Sequence, residues 1–177
     1  MKHDWDPSRL DVREFARAAG QQQGESPLSD WLRLAQDAAE DRGQVRWGLQ
    51  GSTRAVKGGD DQIWLQVTAE LDMALSCQRC LTPVRLPVQI ERAFRFVGDE
   101  TQAEQEDEDS EEDVLVWEKN FDALALLEDE LIMALPMIPM HEACQSEHAL
   151  TSQESESIQE RPNPFAVLSK LRPEKPK

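Results

Sequence analysis

The sequence predicts an α+β domain: an antiparallel sheet of about four or more strands, N-terminal helices beside it, and a core-facing helix after it. Three observations lead there. From Gln44 onward apolar residues recur every second position, the candidate strands follow one another through turns, and past residue 120 the pattern returns to a helical stripe. Strands joined by short connections pair antiparallel, because a parallel neighbour needs a long crossover. A sheet with one apolar face then needs a cover, which the flanking helices can supply.

Taken in order, Asp6 and Pro7 form a cap and first-turn pair, and Leu10, Phe15 and Ala18 or Ala19 give one apolar helix face before Gly20. "QQQGES" reads as a flexible connection. A second helix is expected from Pro27 or Ser29 to about Asp41, burying Leu28, Trp31, Leu32, Ala35 and Ala38 or Ala39. Val45, Trp47 and Leu49 open the first strand, and after the turn-rich "KGGDD" the alternation resumes as Ile63, Leu65, Val67, Ala69, Leu71, Met73 and Leu75. Val84, Leu86, Val88, Ile90, Phe94 and Phe96 form the third, and "DVLVWE" offers a short fourth. The closing helix opens at Asn120 with Asp122 in its first turn and presents Leu124, Leu127, Leu131 and Leu135 before Pro136. Its Glu128, Asp129 and Glu130 read as a solvated face. The core is expected to set Ile63, Leu65, Val67, Leu71, Val88 and Ile90 against Leu124, Leu127 and Leu131.

The chain has 35 acids against 19 Lys and Arg, a formal net charge of −16 that repels phosphate backbones at long range and disfavours broad nucleic-acid binding. Ten of those acids lie in residues 99–113 without a base, a stretch with too little apolar material to offset its ordering entropy and therefore read as a solvated acidic loop. The expected organisation is one domain over residues 1–148, a polar linker over 149–160, and a short basic amphipathic element over 161–177. In that last element Phe165, Leu168, Leu171 and Arg172 are candidate partner-binding residues. With no run of 18 apolar residues and no signal-peptide pattern at the start, the protein is expected to be cytoplasmic, with no membrane contact.

In a reducing compartment a disulfide framework is not expected, so "CQRC" at 77–80 is structural, metal-binding or redox-active. Two cysteines three apart can share one tetrahedral zinc, and "HEAC" supplies His141 and Cys144 at the same spacing. Cys77, Cys80, His141 and Cys144 are thus the candidate metal ligands, with zinc the candidate ion. The alternative is a pair of reduced, partly buried cysteines in a tight strand connection. Thiol exchange has less in its favour, since Pro83 and a strand follow the CxxC where an oxidoreductase places a helix N-terminus. No P-loop, GxGxxG, HExxH or GxSxG occurs, and no nucleophile has an evident base.

"LSCQRCLTPVRLPV", "LLEDELIMALPMIPMH" and "PNPFAVLSKL", together with "DPSRL" and "PLSDWLRL", resemble the YceD family of large ribosomal RNA subunit accumulation proteins. The resemblance implies a cytoplasmic, non-enzymatic factor for large-subunit ribosomal RNA accumulation, with no established cofactor or catalytic residue. Family members often carry further cysteines after the proline-rich segment, where this chain has His141, Cys144 and His148. The expected partner is a ribosomal protein or the large-subunit rRNA precursor, with no small-molecule substrate evident. An acidic chain suits a basic protein, whereas direct RNA contact would use Arg79, Arg85, Arg92 and Arg95 or the C-terminal tail. The competing function is a small zinc-binding or thiol-dependent enzyme centred on the CxxC.

Overall fold

The computed structural model describes residues 5–107 and 112–144. The expected linker and basic C-terminal element, with Phe165, Leu168, Leu171 and Arg172, lie outside the described residues, as does His148. Five strands form one sheet in sequence order: β1 (Gln21–Pro27), β2 (Gln44–Arg54), β3 (Gln62–Ser76), β4 (Pro83–Val97) and β5 (Asp113–Val116). The first four pair antiparallel. The fold class is α+β, but β5 runs parallel to β4, so the sheet is mixed where a wholly antiparallel one was expected. Parallel pairing requires the chain to return to the strand's starting end, and the 15 residues between Val97 and Asp113 make that return. The acidic segment is therefore a crossover, and its described part includes a helix, α2 (Glu100–Asp107), where a loop was expected.

β3 turns Ile63, Leu65, Val67, Leu71, Met73 and Leu75 to the core, and in register with them β4 contributes Val88, Phe94 and Phe96. Ile90 and Leu124, both expected inside, are half-buried at the edge of this cluster. The opposite face of the sheet is mostly polar. Helix α1 (Val12–Arg17) begins five residues later than the Asp6–Pro7 pair suggested, because Asp11 is its cap and accepts from Glu14 N at 3.0 Å. Leu10 instead pairs with Phe121 through two backbone hydrogen bonds of 2.8 and 3.0 Å. Phe15 and Ala16 of α1 lie directly on Gly51 of β2, where an added Cβ would stand 2.7 Å from the Phe15 ring.

β1 replaces the expected flexible connection. As an edge strand with one open face it has almost no apolar side chains, so the two-residue period is invisible in it. Its partners specify it: Gly24 lies under the Trp47 ring, and Trp31 Nε1 donates to Ser26 Oγ at 2.9 Å.

The expected second helix is two 3-10 turns, Leu28–Asp30 and Leu34–Asp37. Leu28, Trp31 and Leu34 are buried at a spacing of three, the 3-10 repeat, while Leu32, placed inside by the 3.6-residue repeat, is 72% exposed.

Helix α3 (Ala123–Met133) is capped by Asp122, which accepts from Ala125 N at 2.9 Å, rather than by Asn120. Leu127 and Leu131 are fully buried and Leu135 is half-buried against the core. The acids of α3 are not a bare solvated face. Glu128 accepts from the backbone N–H groups of Arg33 and Leu34 at 2.8 and 3.2 Å and pairs with the Arg33 guanidinium at 2.9 Å, which also reaches Asp129. Glu130 is buried beside Arg92, at 3.4 Å, and Arg92 also holds Asp113 of β5.

Two predictions arise here. Replacing residues 100–111 by Gly and Ser at equal length, with Asp113 kept for Arg92, should move the melting temperature by no more than the few degrees that ~1 kcal/mol produces in a chain of this size. A fall of the order of 10 °C would show the crossover to be packed. Burial raises the Glu130 carboxyl above its ordinary 4.5, an effect that Arg92 opposes. The folded state then holds a proton that the unfolded state has released, so stability falls as pH rises above 4.5 through the raised value. Glu130→Gln should flatten that slope in denaturant titrations at a series of pH values. An unchanged slope would assign it to other groups.

Candidate metal centre

β3 ends at Ser76 and β4 begins at Pro83, so Cys77 and Cys80 sit in the tight turn that joins the two longest strands. Cys77 N donates to Thr82 O at 3.0 Å and Leu81 N donates to Cys77 O at 2.8 Å, which closes the turn and directs both sulfurs to one side. Leu81 completes it with a φ of 61°, in the left-handed region. From α3 the chain runs through Pro136 and Pro139, which hold it away from helix. Gln78 N donates to Pro139 O at 2.9 Å, which brings His141 and Cys144 against the turn.

The donor atoms of Cys77, Cys80, His141 and Cys144 all lie within 4.8 Å of one another. Cys77 Sγ is 3.5 Å from Cys144 Sγ. His141 Nδ1 is 3.4 Å from Cys80 Sγ and 3.9 Å from Cys144 Sγ. A tetrahedral zinc with ordinary Zn–S and Zn–N bonds separates two sulfurs by about 3.8 Å and a sulfur from a nitrogen by about 3.6 Å. The four donors therefore already stand close to the corners of such a shell.

Surrounding groups fix the chemical state of the ligands. His141 Nε2–H donates to Pro83 O at 3.1 Å, which leaves Nδ1 facing the sulfurs as the free lone pair. Burial acts to raise the Cys77 thiol, but backbone N–H groups of Cys80, His141 and Arg79 directed at its sulfur outweigh that and hold it down at about 5. The Thr82 hydroxyl, 3.1 Å away, lowers Cys80. Burial, together with the neighbouring thiols of Cys77 and Cys80, pushes Cys144 up to about 11. A cation among the sulfurs is the group that would let all three be thiolates together.

All four residues singled out by spacing come together. The arginines do not form one surface. Arg92 shares the core side of β4 with Val88 and Phe94 and is paired to two acids, Arg85 pairs with Glu40 at 2.6 Å, and Arg95 is 9% exposed on the opposite face; Arg79 is exposed in the turn. Spacing did not identify Thr82, Pro83 and Pro139, whose hydroxyl and carbonyls orient the ligands. Pro83 and Pro139 act through backbone oxygens, which leave no trace in residue type.

Fold and site together define a small α+β domain in which a four-donor Cys and His cluster ties a strand turn to the segment after the covering helix. The chain belongs to the YceD family: residues 65–172 match the family model described as "Large ribosomal RNA subunit accumulation protein YceD". It is 36% identical over 110 residues to the large ribosomal RNA subunit accumulation protein YceD of Haemophilus influenzae, an alignment covering 58% of this chain and 62% of that relative's length. No solved structure matches it. Among the described residues no helix is long and apolar enough to cross a membrane.

Proposed function

We propose that the chain acts in the cytoplasm as a non-enzymatic factor for large-subunit ribosomal RNA accumulation and subunit assembly, by binding a ribosomal component. The family match over residues 65–172 carries this reading. One zinc ion on Cys77, Cys80, His141 and Cys144 would act as a structural staple, because four protein donors fill a tetrahedral shell and leave no position for substrate or water. That closure favours a binding factor over the zinc or thiol enzyme. The net charge of −16 favours a basic ribosomal protein over the rRNA precursor as the direct partner, and Phe165, Leu168, Leu171 and Arg172 remain proposed contact residues.

The test is genetic. Deleting the gene should lower large-subunit relative to small-subunit ribosomal RNA, and the wild-type gene should restore the ratio. An unchanged ratio would overturn the reading.

A further inference from the structure

The three sulfurs of the candidate metal centre are not equivalent. Cys77 Sγ lies 3.5 Å from Cys144 Sγ, while Cys80 Sγ turns to the Thr82 hydroxyl at 3.1 Å and to His141 Nδ1 at 3.4 Å. A disulfide holds its sulfurs at about 2.05 Å, so Cys77 and Cys144 have only about 1.5 Å left to close.

One of the two is free to close that gap. Cys77 is fully buried in a turn fixed by its backbone bonds to Thr82 and Leu81. Cys144 is half-buried, and among the described residues its hydrogen bonds run through its sulfur, so a shift toward Cys77 breaks no backbone bond there. Joining Cys77 to Cys80 would instead pull Cys80 from Thr82 and His141, inside a turn that already holds Leu81 in the left-handed region.

From this we infer that the centre responds to peroxide: oxidation joins Cys77 to Cys144 and expels the metal, so that a covalent tie replaces the zinc tie between the same two segments. The pairing rests on the sulfur positions, and the loss of metal rests on the zinc reading above. A hydroperoxide is the two-electron oxidant. The Cys144 sulfur, the more accessible of the pair, attacks one oxygen of hydrogen peroxide; the O–O bond breaks, Cys144 becomes a sulfenic acid and hydroxide leaves. The Cys77 sulfur then attacks the Cys144 sulfur, the S–S bond forms, the S–O bond breaks and a second hydroxide leaves. Two thiolates, one peroxide and two protons thus give one disulfide and two waters. Zinc keeps Cys80 and His141, two donors where a closed site has four, and is released. The new bond links positions 67 apart, closing a loop around β4, β5 and α3, and cellular thiol reductants would reverse it.

The experiment treats full-length, zinc-loaded protein with a small molar excess of hydrogen peroxide, alkylates the remaining thiols and maps disulfides by mass spectrometry without reduction. A Cys77–Cys144 linkage should dominate, with Cys80 alkylated and one zinc released per disulfide to a chromogenic chelator. The oxidised, zinc-free form should melt roughly 5–15 °C above protein chelated under reductant, because a long closed loop restricts the unfolded chain. Cys80→Ser should still form the linkage, which makes the pairing measurable without a full ligand set. A Cys77–Cys80 bond as the main product, bonds between chains, three thiols that survive the peroxide, or equal melting of the two zinc-free forms would each overturn the inference. Protein that takes up no zinc yet forms the linkage would support the pairing and overturn the metal release together with the staple. Zinc retained with all thiols intact would uphold the staple and overturn the switch.

Discussion

Truncating Leu127 to alanine is expected to destabilise the domain by about 2–5 kcal/mol, the range found when a fully buried leucine leaves a cavity. Leu127 has no exposed surface and lies on the face of α3 that covers the sheet, where β3 and β4 both meet the helix. Capping by Asp122 and the ties from Glu128 and Asp129 to Arg33 fix α3 at both its start and its middle, so the helix cannot slide to refill the space. At this chain length each kcal/mol shifts melting by roughly 2–4 °C, so a fall of the order of 10 °C should be read. Leu32→Ala is the control. Its side chain is 72% exposed despite a sequence pattern that places it inside, and its removal should cost no more than ~0.5 kcal/mol. Near-equal losses at the two positions would contradict the packing described.

The contrast between those leucines marks what the sequence could and could not disclose. β3 and β4 were legible because each has one apolar face against a solvated one, so a two-residue period survives along 15 residues in each. The stretch around Leu32 was misread because 28, 31 and 34 fit the helical stripe nearly as well as the three-residue repeat, and only the tertiary position separates Leu32 from Leu34. β1 left no pattern, since an edge strand is specified by what pairs with it, here Trp47 over Gly24 and the β2 ladder. The direction of β5 depended on whether the acidic segment turned back or crossed over, and composition alone does not encode that.

The candidate site was legible for a different reason. Metal ligands are confined to few residue types, so pairs of Cys and His at a spacing of three stand out without knowledge of the fold. What spacing could not supply was the approach of two pairs sixty residues apart. That approach depends on the length of α3, on Pro136 and Pro139 keeping the chain out of helix after it, and on the backbone bond from Gln78 to Pro139. Glu128 and Glu130 show the converse difficulty. An acid row on a helix reads as solvated until the elements carrying Arg33 and Arg92 are folded against it.

Removing the metal should loosen one end of the domain and leave its middle intact. Metal analysis of the purified protein is expected to find one zinc per chain, and none in Cys77→Ser or Cys80→Ser. Small zinc domains unfold without the ion because they have no other core. Here Leu65, Val67, Leu127 and Leu131 are fully buried away from the cysteine turn, so β2 and the centre of β3 should keep their amide protection after chelation. Protection should be lost at 77–83 and 139–144, where the turn and the segment carrying His141 are held mainly to one another through the four donors and the Gln78 to Pro139 bond. An ion present at a thousand times its dissociation constant adds about 4 kcal/mol to stability, so chelation should lower melting by roughly 8–16 °C. Serine at position 77 should cost more than at position 80, since Cys77 is fully buried and its sulfur takes three backbone N–H groups that a hydroxyl cannot reach with the same geometry. Zinc-free protein with full protection across both segments would refute the staple and leave three reduced cysteines packed in a strand turn.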